Sequence, residues 1–273
     1  MPYAVRNDGT VRSTVRNAAG ADRPSMLGRA MRLLAGFRAG EPEVSLAELA
    51  RRSGVAKPTA HRLLGELETW SMVERTPGGY RLGLRAFELG QVVPRQRDLQ
   101  ESAMPILTDL HEATRETVHL AVPDGADVIY LQKLSVAGGP RLPSRLGGRM
   151  PAHCTGVGKV LLAFGPPQLL DAALERGLVR CTPRSVTAPG LLAERLAEIR
   201  ARGHAEEYEE SAPGVACVAA PVLGPDGIAV AALSITGWST RFAPARVVPA
   251  VRTAALGLSR VLGWGGAPRD AVR

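Results

Sequence analysis

Residues 45–84, SLAELARRSGVAKPTAHRLLGELETWSMVERTPGGYRLGL, restrict the fold of this chain more than any other stretch. Ser45 and Glu48 have the spacing of a capping box, in which the serine oxygen accepts a backbone N–H and the glutamate reaches back. Leu46, Leu49 and Ala50 follow at helical intervals. Gly54 predicts the end of that helix, because glycine takes up a positive φ at little steric cost, and Val55 reads as an apolar plug before the next one. Pro58 suits the first turn of a second helix, where its missing N–H would be unpaired anyway. Ala60, Leu63, Leu64 and Leu67 make the buried stripe, which leaves Lys57, Thr59, His61 and Arg62 at or near the outer face. Val73 and residues 80–82 then flank Thr76-Pro77-Gly78-Gly79, a hairpin turn with Pro and Gly where a tight loop needs them, and Arg75 and Arg81 lie on its two arms.

Helix, turn, helix and hairpin in that order make a winged helix-turn-helix, a shape that sets one helix, here residues 57–70, in the DNA major groove. The N–H, O–H and guanidinium donors of Lys57, Thr59, His61 and Arg62 match phosphate oxygens and guanine edges. Arg75 and Arg81 are placed to meet the sugar-phosphate backbone or minor groove. The same shape also occurs in protein-interaction modules that never touch DNA, and that alternative stays open on pattern alone. Upstream, Ser25 caps a segment in which Met26, Ala30, Leu33, Leu34 and Phe37 recur at helical spacing. It predicts a third helix beneath the pair, ended by Gly36, Gly40 and Pro42.

Charge separates this region from the rest. Residues 1–97 hold 16 Lys and Arg against 9 Asp and Glu, whereas residues 98–273 hold 18 against 17. Nearly all of the formal +8 thus sits in the first third, as expected of a DNA-binding head on a near-neutral sensing body. The 273 residues suffice for one or two domains. No apolar run reaches the roughly 18 residues of a membrane span, and no apolar segment follows Arg6, Arg12 and Arg16 to make a secretory signal. Cys154, Cys181 and Cys217 are odd in number and sparse, which argues against a disulfide framework and for a reducing cytoplasm. Without CxxC or HExxH, neither a metal site nor a cofactor is expected.

The division we expect is a mobile tail at 1–24, the winged head at 25–84, a linker helix at 85–98, a second domain at 99–263 and a tail at 264–273. Pro94 interrupts the apolar-faced segment after the hairpin, and a new helical stretch starts at Leu99 with Pro105 as a flaw. Residues 117–122 and 127–133 read as strands about a Pro123-Asp124-Gly125 turn, and residues 136–150 as a loop. Helical composition returns at 154–164, 169–176 and 191–202. A short strand at 204–210, two strong strands at 215–223 and 228–235, and a helix at 247–262 complete an α+β domain.

Three features of this domain bear on chemistry. Gly156-Val157-Gly158-Lys159 is not a Walker loop, since His153 and Val160 occupy positions where Gly and Ser or Thr are required. Its glycines either let backbone N–H groups approach a small anion or allow close packing. A Cys–His nucleophile from Cys154 or Cys217 with His119, His153 or His204 is the enzyme alternative, but Cys217 lies in an apolar strand where a buried inert thiol is usual. The run Glu206-Glu207-Tyr208-Glu209-Glu210 is either a solvated edge or the source of one pocket carboxylate.

The pattern SLAELARRSGVAKPTAHRLLGELE…MVER…YRLGLRAFELG closely resembles the N-terminal domain of the IclR family of bacterial transcriptional regulators. Residues 148–159, GRMPAHCTGVGK, resemble that family's effector loop, and EEYEESAPGVACVAAPV and AALSITG its signature region and final core strand. The resemblance spans roughly residues 25–262 and implies a GAF-like α/β effector-binding domain with an antiparallel sheet. Carried over by motif position, it implies effector contacts from Leu142, Met150, Gly156, Val157, Glu207, Cys217, Ser234 and Thr236. Ser234, Thr236 and loop N–H groups suit a carboxylate, and Leu142, Met150 and Val157 an apolar wall. The family often carries an aspartate where this chain has Glu207, so the longer arm reshapes the cavity. The resemblance further implies a cytoplasmic, non-enzymatic homodimer or homotetramer that binds a pseudo-palindromic double-stranded operator under control of a small carboxylic or aromatic acid.

Overall fold

A computed structural model describes residues 25–266; the tail expected at 1–24 and most of that expected at 264–273 lie outside the described residues. The chain divides into two compact units that meet between Arg97 and Asp98 in sequence.

The first unit packs three helices, α1 (Met26–Leu34), α2 (Leu46–Ser53) and α3 (Lys57–Thr69), with a hairpin of β1 (Val73–Thr76) and β2 (Gly79–Leu82). The caps follow the local sequence. Ser25 Oγ accepts from the Gly28 N–H at 3.1 Å and Ser45 Oγ from the Glu48 N–H at 3.2 Å. The expected capping box is only half made, however. The Glu48 carboxylate turns toward Arg51 and Arg52 instead of back to Ser45, because two guanidinium groups offer stronger, charge-assisted bonds. Arg52 reaches on to Glu41 at 2.6 Å and the Gly36 carbonyl at 2.9 Å, which ties α2 to the connection that precedes it.

Leu33, Leu49, Val55, Ala60, Leu63, Leu64, Val73 and Tyr80 form one apolar core. Strand pairing runs from Val73↔Leu82 to Thr76↔Gly79, so Pro77 and Gly78 make the turn. Val44 extends this small sheet through Val44 N–H to Tyr80 O at 2.8 Å and Tyr80 N–H to Val44 O at 2.9 Å. Gly79 is required here, because its φ is +149° and a Cβ would sit 2.2 Å from the Val44 carbonyl oxygen.

The linker differs from expectation. In place of one helix over 85–98, α4 (Leu84–Gln91) ends, residues 92 and 93 break the path, and α5 (Pro94–Thr114) begins. Pro94 therefore opens a helix, as its fixed φ and missing N–H favour, and α5 runs through Pro105 instead of starting at Leu99.

The second unit is built on a six-stranded antiparallel sheet of order β5-β4-β3-β8-β7-β6. Its strands are β3 (Thr117–Asp124), β4 (Asp127–Leu134), β5 (Arg149–Pro151), β6 (Ala205–Tyr208), β7 (Val215–Leu223) and β8 (Ala229–Trp238). Arg149 and Met150, expected in the loop, are drawn into the edge strand β5 by pairing with Ile129 and Val128. One face carries α6 (Gly156–Phe164), α7 (Pro167–Arg176) and α8 (Pro189–Arg202), packed through Val157, Val160, Leu161, Leu192 and Leu196. The other carries α5 and α9 (Pro244–Val261), through Leu107, Leu110, Val251 and Leu258. Cover on both faces explains why β7 reads as a nearly continuous small apolar run instead of alternating with polar residues.

Two glycines should respond in opposite senses. Gly79→Ala should destabilise the first unit by more than about 2 kcal/mol, since strain and backbone overlap both act. Gly65→Ala, in α3 with nothing within 4 Å of the added carbon, should stabilise it by about 0.5–1 kcal/mol. Hydrogen exchange of the α3 amides in the full chain measures both.

Candidate functional site

Two places in the chain gather the sequence-predicted residues, one in each unit. In the first unit, burial of Ala60, Leu63 and Leu64 turns the opposite side of α3 outward. Lys57, His61 and Arg62 are exposed and Thr59 is half-buried. Pro58 sits in the first turn of the helix, and no side chain caps its N-terminus. Arg62 Nη1 meets Glu66 Oε1 at 2.5 Å one turn on, and Nη2 meets Met26 Sδ at 3.4 Å.

The hairpin register separates the two wing arginines. Arg75 is opposite Tyr80, and Arg81 is opposite Glu74, so the pairs occupy opposite faces. Arg75 lies 5.2 Å over the Tyr80 ring, donates to its hydroxyl at 2.9 Å and approaches Glu68 of α3 at 3.6 Å. Arg81 pairs with Glu74 at 2.6 Å. These are exposed pairs, which contribute little on their own and can exchange a carboxylate for a phosphate oxygen.

In the second unit, antiparallel register and the two-residue period of a strand set a polar row across one face of the sheet. Thr117, Thr236, Cys217 and Glu207 stand directly opposite one another on β3, β8, β7 and β6. His119 and Ser234 form the adjacent pair. Thr155 and the start of α6 lie over this row, so that a narrow cavity of about 20 Å³ is left between them. Leu142, Met150, Gly156 and Val157 line it from the loop and helix side; Glu207, Cys217, Ser234 and Thr236 line it from the sheet. All eight residues implied by the family resemblance therefore surround one space.

Seven further lining residues are not among those eight, the polar ones being His119, Tyr130, Ser144, Thr155 and Ser211. The alternation of residues 117–122 places His119 on the face away from Val118 and Leu120, and that signal was available. Ser144 carried none, because it is brought in by an irregular loop. His119 Nε2 meets Ser144 Oγ at 2.9 Å and Nδ1 meets Ser234 Oγ at 3.3 Å. Burial, with a smaller effect from Lys133, pushes the imidazole pKa down to about 3.

Glu207 is the only member of its acidic run to be buried, at 1% exposure. Its Oε1 accepts from the N–H groups of Glu210 at 2.6 Å and Ser211 at 3.0 Å, and Oε2 from Ser211 Oγ at 3.2 Å. Burial outweighs these bonds and raises the carboxyl to about 7. Among the described residues, no lysine or arginine lines the cavity.

The Gly156-Val157-Gly158-Lys159 run has a packing role and an electrostatic one. A Cβ on Gly158 would lie 2.1 Å from the Ala152 carbonyl oxygen, so glycine permits the 3₁₀ turn Ala152–Cys154 to lie against α6. Gly158 N–H is used by the cap, Thr155 Oγ1, at 3.1 Å. Lys159 is buried and paired with Glu210, which removes it as a phosphate ligand. The leading N–H groups of α6 remain at the cavity, where a helix N-terminus favours negative charge.

Cys217 also faces this space, but burial pushes its thiol up to about 12. A thiol so reluctant to ionise beside an imidazole of pKa about 3 makes no thiolate–imidazolium pair. No group of three or more His, Cys, Asp or Glu among the described residues is placed to hold a metal ion, and no helix among them is long and apolar enough to cross a membrane.

Comparison with known proteins assigns a family to both units. Residues 26–77 match the IclR helix-turn-helix domain, and residues 91–260 match the family described as bacterial transcriptional regulator IclR C-terminal. The HTH-type transcriptional regulator XynR of Escherichia coli is 33% identical over 86% of this chain and 96% of its own. The transcriptional repressor IclR of the same organism is 32% identical over 85% of this chain and 87% of its own. Among solved structures, an IclR homolog from Microbacterium hydrocarbonoxydans in complex with 4-hydroxybenzoate superposes with a TM-score of 0.79 at 29% identity, covering 87% of this chain and 99% of that one. Thermotoga maritima IclR gives 0.70 at 31%, covering 87% and 98%.

The buried carboxyl predicts a pH effect. Because its folded pKa of about 7 exceeds the unfolded 4.5, the native state binds the extra proton, and the contribution of Glu207 to stability falls as pH rises from about 5 to 8. Relative to Glu207→Gln, the unchanged chain should lose about 3 kcal/mol over that window. Urea unfolding of the two proteins at each pH measures the difference, and the comparison cancels the opposite contribution of His119.

Proposed function

The chain belongs to the IclR family of bacterial transcriptional regulators, DNA-binding proteins with a ligand-binding domain, and from that premise we propose which of its residues read DNA and which receive the effector. Lys57, Thr59, His61 and Arg62 on α3 enter the major groove. The observation that carries this is their outward placement opposite the buried Ala60, Leu63 and Leu64. A wing in the minor groove presents its two faces to the two phosphate backbones, so Arg75 and Arg81 serve one each. We read the head as residues 25–84, the linker as 85–98 and the effector domain as 99–263.

The effector is a small carboxylic or aromatic acid held by the α6 N-terminus, Ser234 and Thr236, against a wall of Leu142, Met150 and Val157. The enclosed space is about 20 Å³, room for about one water, so an acid is accommodated by outward movement of the loop side of the lining; 4-hydroxybenzoate, bound by the Microbacterium relative, is an acid of the class meant. Near neutral pH a neutral His119 and an only partly ionised Glu207 lessen the repulsion of an entering anion. The uncharged Cys217 and His119 favour binding over turnover, so the protein is a regulator and not an enzyme.

One head makes few contacts, and useful affinity requires two on a pseudo-palindromic operator. The amphipathic α4 supplies a surface for this. It buries no residue, and Leu84, Phe87 and the following Val92 are 66%, 62% and 71% exposed. Such apolar exposure marks an interaction site, and we assign it to self-association as a homodimer, or a tetramer as a pair of dimers, in the cytoplasm.

Arg62→Ala should weaken operator binding by about 1–3 kcal/mol in a fluorescence-anisotropy titration; unchanged, salt-insensitive binding would contradict the assignment of α3. Ser234→Ala should alter the thermal shift given by small organic acids while the free protein still binds operator; loss of both together would point to misfolding. Phe87→Asp should shift the full chain toward monomer in sedimentation experiments and lower operator affinity with it. An unchanged oligomer would exclude α4 from the interface.

A further inference from the structure

We propose that Cys154 and Cys181 are a reversible dithiol–disulfide pair, closed by hydrogen peroxide, that covalently fixes the loop bordering the effector cavity. The two sulfurs, both free thiols, lie 2.9 Å apart although they are 27 positions apart in sequence. Their surroundings hold both in place. His153 Nε2 meets the Val179 carbonyl at 2.8 Å, beside both cysteines. The Cys181 N–H donates to Ser185 Oγ at 3.0 Å, and Thr182 Oγ1 and Ser185 Oγ donate to the carbonyls of Glu209 at 2.6 Å and Glu210 at 2.8 Å. A bond length of about 2.05 Å therefore needs only a small approach of two anchored segments.

The pair is also asymmetric in the way such a reaction requires. Cys154 is buried, whereas Cys181 is partly open to solvent. The thiol hydrogen bond from Cys154 and the nearby Arg176 guanidinium hold the Cys181 thiol below the ordinary cysteine range. The Cys181 thiolate attacks peroxide, the O–O bond breaks, and the sulfur becomes a sulfenic acid while hydroxide takes a proton to give water. The Cys154 sulfur then attacks Cys181, forms the S–S bond, loses its proton and expels a second water. Two thiols and one peroxide give one disulfide and two waters, and the sulfurs are oxidised as the peroxide is reduced.

Thr155, Gly156 and Val157 follow Cys154 directly and line the cavity. The disulfide would join their loop to the segment between α7 and α8, so the cavity wall loses freedom when the bond closes. Cys217, in the same domain, has no such partner sulfur among the described residues and serves as an internal control.

The test uses the full reduced chain treated with hydrogen peroxide, alkylated and digested with trypsin. A crosslink is expected between peptides 150–159 and 181–184, with loss of two hydrogen masses, one alkylated thiol at Cys217 and full reversal by dithiothreitol. Cys181→Ser, at the partly exposed position, should abolish the crosslink, and Cys217→Ser should leave it. Hydrogen exchange of residues 155–158 should slow on oxidation. Three alkylatable thiols after treatment, a sulfinic acid at Cys181 with Cys154 still free, a crosslink through Cys217, or unchanged exchange in the loop would each overturn the proposal.

Discussion

The first unit depends on the burial of one narrow stripe, Ala60, Leu63 and Leu64, against Leu33, Leu49 and Tyr80. Each large apolar side chain removed from water contributes roughly 1.5–3 kcal/mol, more than any exposed ion pair around it. Rotation of α3 about its axis would forfeit that burial. The stripe therefore fixes which side chains face outward, and Lys57, His61 and Arg62 are exposed as a consequence. The hairpin is held to the same core through Val73 and Tyr80, so the wing is positioned by the contacts that orient the helix.

In the second unit the corresponding constraint is strand register. Antiparallel pairing places Thr117, Thr236, Cys217 and Glu207 in one row, and the strand period puts them on the face beneath α6. Apolar neighbours fill the rest of that face and leave a polar strip under a helix N-terminus. Burial raises Glu207 and lowers His119, so the strip carries less negative charge near pH 7 than an exposed carboxylate would give it. The buried Lys159 is held by the partly buried Glu210, outside the residues that line the cavity.

The head was legible because its signals are local. Ser25, Ser45 and Pro58 mark helix starts within a few residues, and the Pro77-Gly78 turn marks the hairpin. The reversed reach of Glu48 was not legible, since its competitor Arg52 is recruited partly by Glu41, from outside the helix. Pro94 misled for a physical reason: a proline that ends one helix is equally suited to open the next. The two-faced sheet was read strand by strand, but β5 forms only through pairing with β4 and showed no periodicity of its own. The cavity was reached through family resemblance, because His119, Ser144 and Tyr130 meet only once register and an irregular loop are in place.

The outward face of α3 is tested most directly by selecting duplexes from a random DNA pool with the full-length protein and sequencing what is retained. Enrichment of an inverted repeat, with each half-site specified over the few base pairs one helix can reach and with affinity that falls steeply with salt, is the expected result. A retained pool with no common sequence, or retention that ignores salt, would contradict the role of that helix in reading DNA.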